Sequence, residues 1–265
     1  MKERLDVILV NLGLASSRDQ AKRTIMAGLV TVDGRVEDKA GQKFDTEQEF
    51  AVKEKLCPYV SRGGLKLEKA IDVFGIRCNQ KICMDMGAST GGFTDCMLQN
   101  DASKVYAIDV GYGQLDYKLR VDPRVVNMEK TNIRYLDTSL IEEPIELLSI
   151  DVSFISLSHM FPVAASVLSP DGDILALIKP QFEAGREQVG KKGIVRDPAV
   201  HEEVIEKVIG LASDNGLYPH GITFSPVKGG KGNIEYLIWL RKDPSEEPLP
   251  LPREVVEEAH RSLDE

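Results

Sequence analysis

The run DMGASTGGF at residues 85–93 constrains this chain more than any other feature: it is a glycine-rich turn set between two apolar runs. Residues 81–84 read as a buried strand. Gly87, Gly91 and Gly92 let the backbone bend tightly and approach a ligand that any side chain would exclude. A helix can open from residue 94. The next apolar run, 104–108, is closed by Asp109, so an acid stands beside the loop at the carboxyl edge of a parallel sheet, where it can grip two ribose hydroxyls. The glycines are spaced G-x-x-x-G-G, whereas the dinucleotide fingerprint needs G-x-G-x-x-G, and no pyrophosphate cradle is evident. A cofactor with ribose and adenine but no phosphate fits better, and S-adenosylmethionine is of that kind. The competing reading is an ordinary strand-turn-helix corner with packing glycines.

From residue 81 onward strands alternate with helices: ICMDMG, VYAIDV, VVNME, LLSID, DILALIK, then GITFSP and IEYLIWL. This pattern predicts a doubly wound, Rossmann-like α/β sheet. The last two strands lack a long helix between them, which suits an antiparallel hairpin at the sheet edge, as in S-adenosylmethionine-dependent methyltransferases. Ahead of the sheet, SRGGLKLEKA opens an amphipathic helix that keeps Leu65, Leu67 and Ile71 for packing. The first sixty residues read as a separate small α+β module. Leu5, Ile8, Leu9 and Leu12 lie at helical spacing, Ser16 or Ser17 can cap a second helix that stops at Gly28, LVTVDGRV alternates around an Asp33-Gly34 turn, and residues 49–53 offer one more strand. The expected domains are therefore 1–57 for the module, 58–245 for the sheet domain and 246–265 for an acidic tail that runs over the surface with a short final helix from Arg253. A chain of 265 residues can bury such a core with one small domain to spare.

The net charge of −9 ordinarily counts against nucleic acid as a partner, but residues 243–265 alone contribute −6, so the rest of the chain carries only −3. A local basic patch can still bind phosphate. Arg4, Arg18, Lys22 and Arg23 gather on the helical part of the first module, and Arg18 and Lys22, one turn apart, share a face suited to structured RNA or to solvent. Arg62, within SRGGLKLEKA, is also expected to contact RNA. Residues 185–198, GREQVGKKGIVRDP, combine glycines that permit movement with Arg186, Lys191, Lys192 and Arg196, and read as a mobile flap that contacts RNA. Asp197 and Pro198 at its end suit the cap and first turn of a helix.

Cys57, Cys78, Cys83 and Cys96 form no C-x-x-C pair and the four histidines are scattered, so neither a metal site nor a disulfide framework is expected. Asp6 and Asn11 interrupt the apolar N-terminal stretch, no cleavage site follows, and no segment is apolar and long enough to span a bilayer. These features point to a reduced, cytoplasmic protein without a membrane partner.

The methyl acceptor is read from the ends of the later strands. Asp151 ends LLSID, Lys179 ends LALIK, Glu235 lies in NIEYLIW, and Lys66 is on the helix before the first sheet strand. Each alone is as readily a surface or structural ion-pair group. Together they suit transfer to a ribose hydroxyl, a poor nucleophile that needs a nearby base: Lys66 beside Lys179 disfavours the charged ammonium of either, and Asp151 and Glu235 hold the pair. Lys179 is the preferred base or steering group, with the choice between the lysines open. Methylation of an exocyclic amine usually needs a Pro-Pro-aromatic motif where this chain has DVSF, and methylation of a pyrimidine carbon needs a cysteine near these strand ends.

These residues also carry resemblances. SRDQAKRTIMAGLVTVDGR resembles the RNA-binding module first known from small-subunit ribosomal protein four, over residues 1–55. Lys66, Asp151, Lys179 and Glu235 resemble the Lys-Asp-Lys-Glu set of the FtsJ-like ribose 2'-O-methyltransferases. With YVSRGGLKL, DMGASTGGFTD, AIDVGYGQL, DVSFISL, LIKPQFE and KGNIEYL, the whole chain resembles the TlyA family, known both as rRNA cytidine 2'-O-methyltransferases and as haemolysins. The resemblance implies S-adenosylmethionine held by Gly87, Ser89, Gly91, Gly92 and Asp109, with Asp85 behind them and Thr131 and Asn132 at the adenine. It implies ribosomal RNA or a ribosomal subunit as partner. The rival readings are a membrane-active haemolysin and an RNA-binding assembly factor whose methyltransferase fold is inactive.

Overall fold

In a computed structural model of the chain, the described residues are all but Met1, Ser16, Ala27, residues 53–56, Asp264 and Glu265, and the side chain of Arg23 is also outside them. The cap expected at Ser16, the end of the strand expected at 49–53, the RNA contact expected of Arg23 and the last two acids of the tail therefore lie outside the described residues. The chain divides into two compact units, Met1–Pro58 and Tyr59–Glu265.

The first unit contains β1 (Lys2–Arg4), α1 (Leu5–Asn11), α2 (Arg18–Met26), β2 (Val30–Val32), β3 (Arg35–Glu37), β4 (Lys43–Asp45) and β5 (Phe50–Val52). Its core joins Leu5 and Leu9 of α1, Ala21 and Ile25 of α2, and Val30 and Val32 of β2. Leu12, expected on the same apolar face, is instead 53% exposed. The reason is that α1 ends at Asn11 and Gly13, at φ +70°, turns the chain away before the helical period can return Leu12 to the core. Ser17 Oγ accepts from the Gln20 amide at 3.2 Å and starts α2, and Gly28, also at φ +70°, lets the chain leave it. Asp33 and Gly34 both have positive φ, the requirement of a two-residue hairpin turn, and β2 pairs antiparallel with β3 on one side and β5 on the other.

The second unit runs α3 (Gly63–Phe74), β6 (Ile82–Met86), α4 (Gly92–Gln99), β7 (Lys104–Ile108), α5 (Tyr117–Arg120), β8 (Val125–Met128), β9 (Ile145–Ile150), α6 (Phe161–Val167), β10 (Leu168–Ile178), α7 (Pro180–Glu183), α8 (Pro198–Ser213), β11 (Tyr218–Phe224), β12 (Tyr236–Arg241) and α9 (Pro252–Leu263). Near-continuous apolar runs such as those of β6 and β7 are what strands covered on both faces require. Among the described residues these strands form a seven-stranded sheet in the order β11-β12-β10-β9-β6-β7-β8. The pairings from β8 to β10 are parallel, whereas β12 runs antiparallel to both β10 and β11, which makes the edge hairpin. The chain steps from β6 out to β8 and returns to place β9 beside β6. That reversal opens a crevice at the carboxyl ends of β6 and β9, where Gly87 and Asp151 stand.

The tail does not only run over the surface. Val255, Val256 and Ala259 of α9 share one stripe at helical spacing, are buried in the core of the second unit, and bring α9 against α8 and β11, while Glu254, Glu257 and Glu258 stay exposed.

Candidate active site

The glycine loop is built by the strand ends it joins. Gly87, at φ +92°, has no room for a Cβ, which would collide with the Asp151 carbonyl oxygen and stand 2.9 Å from its carbon. The Gly87 and Ala88 amides both donate to the Ile108 carbonyl at 2.9 and 3.0 Å, and the Asp151 amide donates to the Met86 carbonyl at 2.9 Å, so the ends of β6, β7 and β9 are laced together. Gly91, at φ +94°, is the N-cap of α4, and its amide donates to the Ala88 carbonyl at 2.7 Å. A Cβ at Gly92 would press against Ser61 and the Gly64 amide.

Asp109 stands directly after β7. Its Oδ2 accepts from the Ser89 amide at 2.8 Å and its Oδ1 from the Gly111 amide at 2.7 Å, which fixes the carboxylate plane and leaves lone pairs on both oxygens. A cavity of about 470 Å³ opens here, lined by Gly87, Ser89, Asp109, Asn132 and Asp151 together with Val110, Gln114, Ile133, Arg134, Phe154 and Met160. Asn132 uses its Oδ1 to cap the turn that follows, accepting from the Arg134 amide at 3.1 Å. Thr131 is not on the wall; its hydroxyl donates to the Glu129 carbonyl at 3.2 Å.

Asp85, expected among the cofactor residues, lies beneath the loop and lines none of these cavities. It is fully buried, and its carboxylate accepts from the Thr94 amide at 3.0 Å, the Thr94 hydroxyl at 2.7 Å and the Ser149 hydroxyl at 3.0 Å, clamping the first turn of α4 to β6 and β9. Burial pushes this carboxyl up to about 6, against hydrogen bonds from Thr94 and Ser149 that favour its charged form. An unfolded aspartate titrates near pH 4. Between about pH 4 and 6 the folded chain thus holds a proton that the unfolded chain has released, and stability falls as pH rises through that window, by about 3 kcal/mol. Urea unfolding from pH 4 to 7 should show this slope in the native protein and lose it in Asp85→Asn; identical slopes would refute the assignment.

The four polar residues read from the strand ends form two ion pairs. Lys179 Nζ is 2.5 Å from Asp151 Oδ1 and donates to Ser153 Oγ at 3.0 Å; Lys66 Nζ donates to Glu235 Oε2 at 2.6 Å. Glu235, expected within the hairpin strand, immediately precedes β12, and its other oxygen accepts from Gln181 Nε2 at 3.2 Å. Lys66, Lys179 and Glu235 are each less than 10% exposed. Each lysine is held by its own carboxylate. A cleft of about 330 Å³ is lined by Lys66, Lys179, Asp151, Gly87, Ser89, Gly92 and Arg62, and a further cavity of about 330 Å³ by Lys66, Lys179, Glu235, Gln181 and Phe154. The two lysines are common to both, and Asp151, Gly87 and Ser89 are common to the cleft and the Asp109 cavity.

Sequence reasoning missed Ser153 and Phe154, although DVSF was in view as a missing Pro-Pro motif. Phe154 is 90% exposed, holds φ +64°, which is unusual for an aromatic residue, and its ring lies 4.9 Å from that of Phe182. An aromatic directly after the strand that supplies Asp151 was the available signal.

The expected RNA contacts divide. Arg4 and Arg18 both turn onto buried Asp6, at 2.9 and 3.0 Å, and the hydrogen bond from Arg4 holds the Asp6 carboxyl down at about 2. These two arginines serve the first unit's interior as well as its surface. Lys22 lies 3.3 Å from Asp19. Arg62 lines the cleft, and Arg186, Lys191 and Lys192 are exposed around the turn at 186–193. None of the four cysteines lines the three cavities; burial pushes Cys78 up to about 11 and Cys96 to about 12. Among the described residues no cluster of His, Cys, Asp and Glu is placed to hold a metal, and no helix is long and apolar enough to cross a membrane.

Residues 59–242 match the FtsJ-like methyltransferase family and residues 3–50 match the S4 domain. YqxC of Bacillus subtilis is 52% identical over 270 residues, covering 100% of this chain and 96% of that protein. The 16S/23S rRNA (cytidine-2'-O)-methyltransferase TlyA of Mycobacterium tuberculosis is 44% identical over 241 residues, covering 91% of this chain and 90% of its own. A solved structure of a candidate hemolysin from Streptococcus thermophilus superposes with a TM-score of 0.79 at 49% identity, covering 99% of this chain and 97% of its own. The chain therefore belongs to the TlyA family of FtsJ-like methyltransferases that carry an S4 domain.

Proposed function

We propose that the protein methylates a ribose 2'-hydroxyl of ribosomal RNA, at cytidine, with S-adenosylmethionine as methyl donor. The observation that carries this reading is the continuity of the cavities: Asp151 lines the Asp109 cavity and, 2.5 Å away, holds Lys179 in the adjoining cleft. The loop itself fits this cofactor. The amides of residues 87, 88, 89 and 91 are spent on Ile108, Asp109 and Ala88, so they form no cradle for a pyrophosphate, whereas Asp109 keeps lone pairs for ribose hydroxyls. When bound, S-adenosylmethionine supplies an electrophilic methyl on a sulfonium centre.

The chain's own groups prepare the acceptor. Asp109, Ser89, Gly87 and Asn132 hold the cofactor, with Asp85 keeping the loop in place from below. A 2'-hydroxyl gains nucleophilicity as its proton leaves, and a lysine accepts that proton only in its neutral form. We assign Lys179 to the hydroxyl, as base when neutral and as steering group while paired with Asp151, which reaches the cofactor cavity, and the orienting role to Lys66 and Glu235. The exposed ring of Phe154, which lines both the Asp109 cavity and the cavity with Glu235, suits an unstacked base. Residues 1–57 serve RNA binding, with Lys22 and Arg23 on one helix; residues 58–245 serve transfer, with Arg62, Arg186, Lys191 and Lys192 toward RNA. Such a substrate places the reaction in the cytoplasm.

The test is incubation with labelled S-adenosylmethionine and isolated ribosomal subunits, followed by nucleoside mass spectrometry. The expected product is 2'-O-methylcytidine in RNA of at least one subunit. Absence of ribose methylation on both subunits would overturn the reading.

A further inference from the structure

Next to the catalytic cleft lies another cavity, of about 350 Å³, whose described lining includes Arg196, Lys228, Lys231 and His260 and no acidic residue. Three cations around one hollow are notable in a chain of net charge −9. We propose that this cavity binds a backbone phosphate of the RNA substrate beside the nucleotide presented for methylation; this rests on the function proposed above.

The hollow is continuous with the site. Lys228 lines both it and the cleft of Lys66 and Lys179, and Lys231 lines both it and the cavity that contains Glu235. The hollow is also firmly built. Asn233, 2% exposed, accepts from the Val195 amide at 3.0 Å and donates to the carbonyls of Gly193 and Gly230 at 2.9 and 3.1 Å, so it staples the end of the flap to the loop that carries the lysines. On the other wall, His260 Nε2 lies 3.2 Å from Nδ1 of buried His201, whose Nε2 lies 3.1 Å from the Val195 carbonyl. Lys231 stands at φ +62° among Gly229, Gly230 and Gly232, its Nζ 3.6 Å from where a Cβ of Gly193 would be. A lysine held in a conformation that glycine adopts more readily, between glycines, is a strained choice that charge at this point accounts for. Arginine and lysine donors around one hollow recognise a phosphodiester, and a cavity that shares Lys228 with the cleft fixes the neighbouring nucleotide rather than the RNA at large.

The experiment uses the full chain and two variants, Arg196→Ala and Lys231→Gly. The second removes the charge while relieving the backbone, so misfolding does not explain its effect. RNA affinity is measured from about 50 to 300 mM salt on ribosomal RNA. Each variant should bind about tenfold more weakly at the low-salt end, with a log–log salt slope shallower by about one phosphate contact, and Arg196→Lys should restore the slope. Affinity for S-adenosylmethionine should stay that of the unaltered chain. Variants that keep both RNA affinity and slope, while the unaltered chain methylates RNA, overturn the phosphate site alone. If they lose binding of inorganic phosphate but not of RNA, the cavity holds a free anion and the RNA assignment falls. If the unaltered chain methylates no ribosomal RNA, both proposals fall.

Discussion

Lys179→Ala is expected to lower single-turnover methyl transfer by about 10³-fold while leaving affinity for S-adenosylmethionine within a few-fold of the unaltered chain. The argument begins with position. Lys179 directly follows β10, and Nζ sits between Asp151 and Ser153 on the wall of the cleft. Its removal strips the cleft of the group proposed to take the hydroxyl proton but touches neither Asp109 nor the glycine loop. Asp151 keeps about a fifth of its side-chain surface in solvent, so its carboxylate can hydrate once its partner is gone, and the fold should survive. Lys66 is a poorer probe. Its partner Glu235 is only 2% exposed, and truncating one member of such a pair leaves a buried charge that costs about 3–5 kcal/mol, so a lost activity in Lys66→Ala would mix catalysis with unfolding. Retention of more than a tenth of the activity by Lys179→Ala would move the proton to another group. Retention of RNA binding with loss of transfer would also separate this enzyme from an inactive assembly factor.

What was legible in the sequence follows from how local each signal is. The parallel strands were legible because burial on both faces writes an uninterrupted apolar run, and each run here ends in the polar residue that enters the site: Asp109 after β7, Asp151 after β9, Lys179 after β10. The role of Asp85 was not, since an acid inside a loop motif looks the same in sequence whether it faces a ligand or clamps Thr94 from below. Arg18 read with Lys22 as a phosphate-binding face because the acid that engages Arg18 lies twelve residues earlier and only folding brings them together. The pairing of each lysine with its own carboxylate was equally hidden, because Lys66 and Glu235 are 169 residues apart and a linear motif carries no partner assignment. The stripe of Val255, Val256 and Ala259 was locally readable, but an acidic, proline-rich approach masked it.

Gly87→Ala is expected to abolish cofactor binding and to destabilise the second unit by about 3 kcal/mol or more. Two costs add at this residue. Its φ of +92° lies where a side chain is rarely tolerated, which costs on the order of 1–3 kcal/mol. The new methyl would also collide with the Asp151 carbonyl oxygen, and that oxygen belongs to backbone that cannot swing aside, because the Asp151 amide is bonded to Met86 and the Gly87 amide to Ile108. Relief therefore requires the ends of β6 and β9 to separate, and overpacking of this kind adds about 1–3 kcal/mol. Separation moves Asp151, and with it Lys179, away from the cofactor cavity. Gly91→Ala shares the positive φ, but the atoms its Cβ would meet belong to the Leu119 and Leu115 side chains, which can rotate. The two substitutions should therefore be ranked: in calorimetric titration with S-adenosylmethionine, Gly87→Ala gives no measurable binding and Gly91→Ala gives weakened binding, with thermal unfolding shifted in the same order. Equal effects at both positions would show that backbone conformation alone sets the cost. Near-native binding by Gly87→Ala would mean that the strand-end lacing does not position the cofactor site.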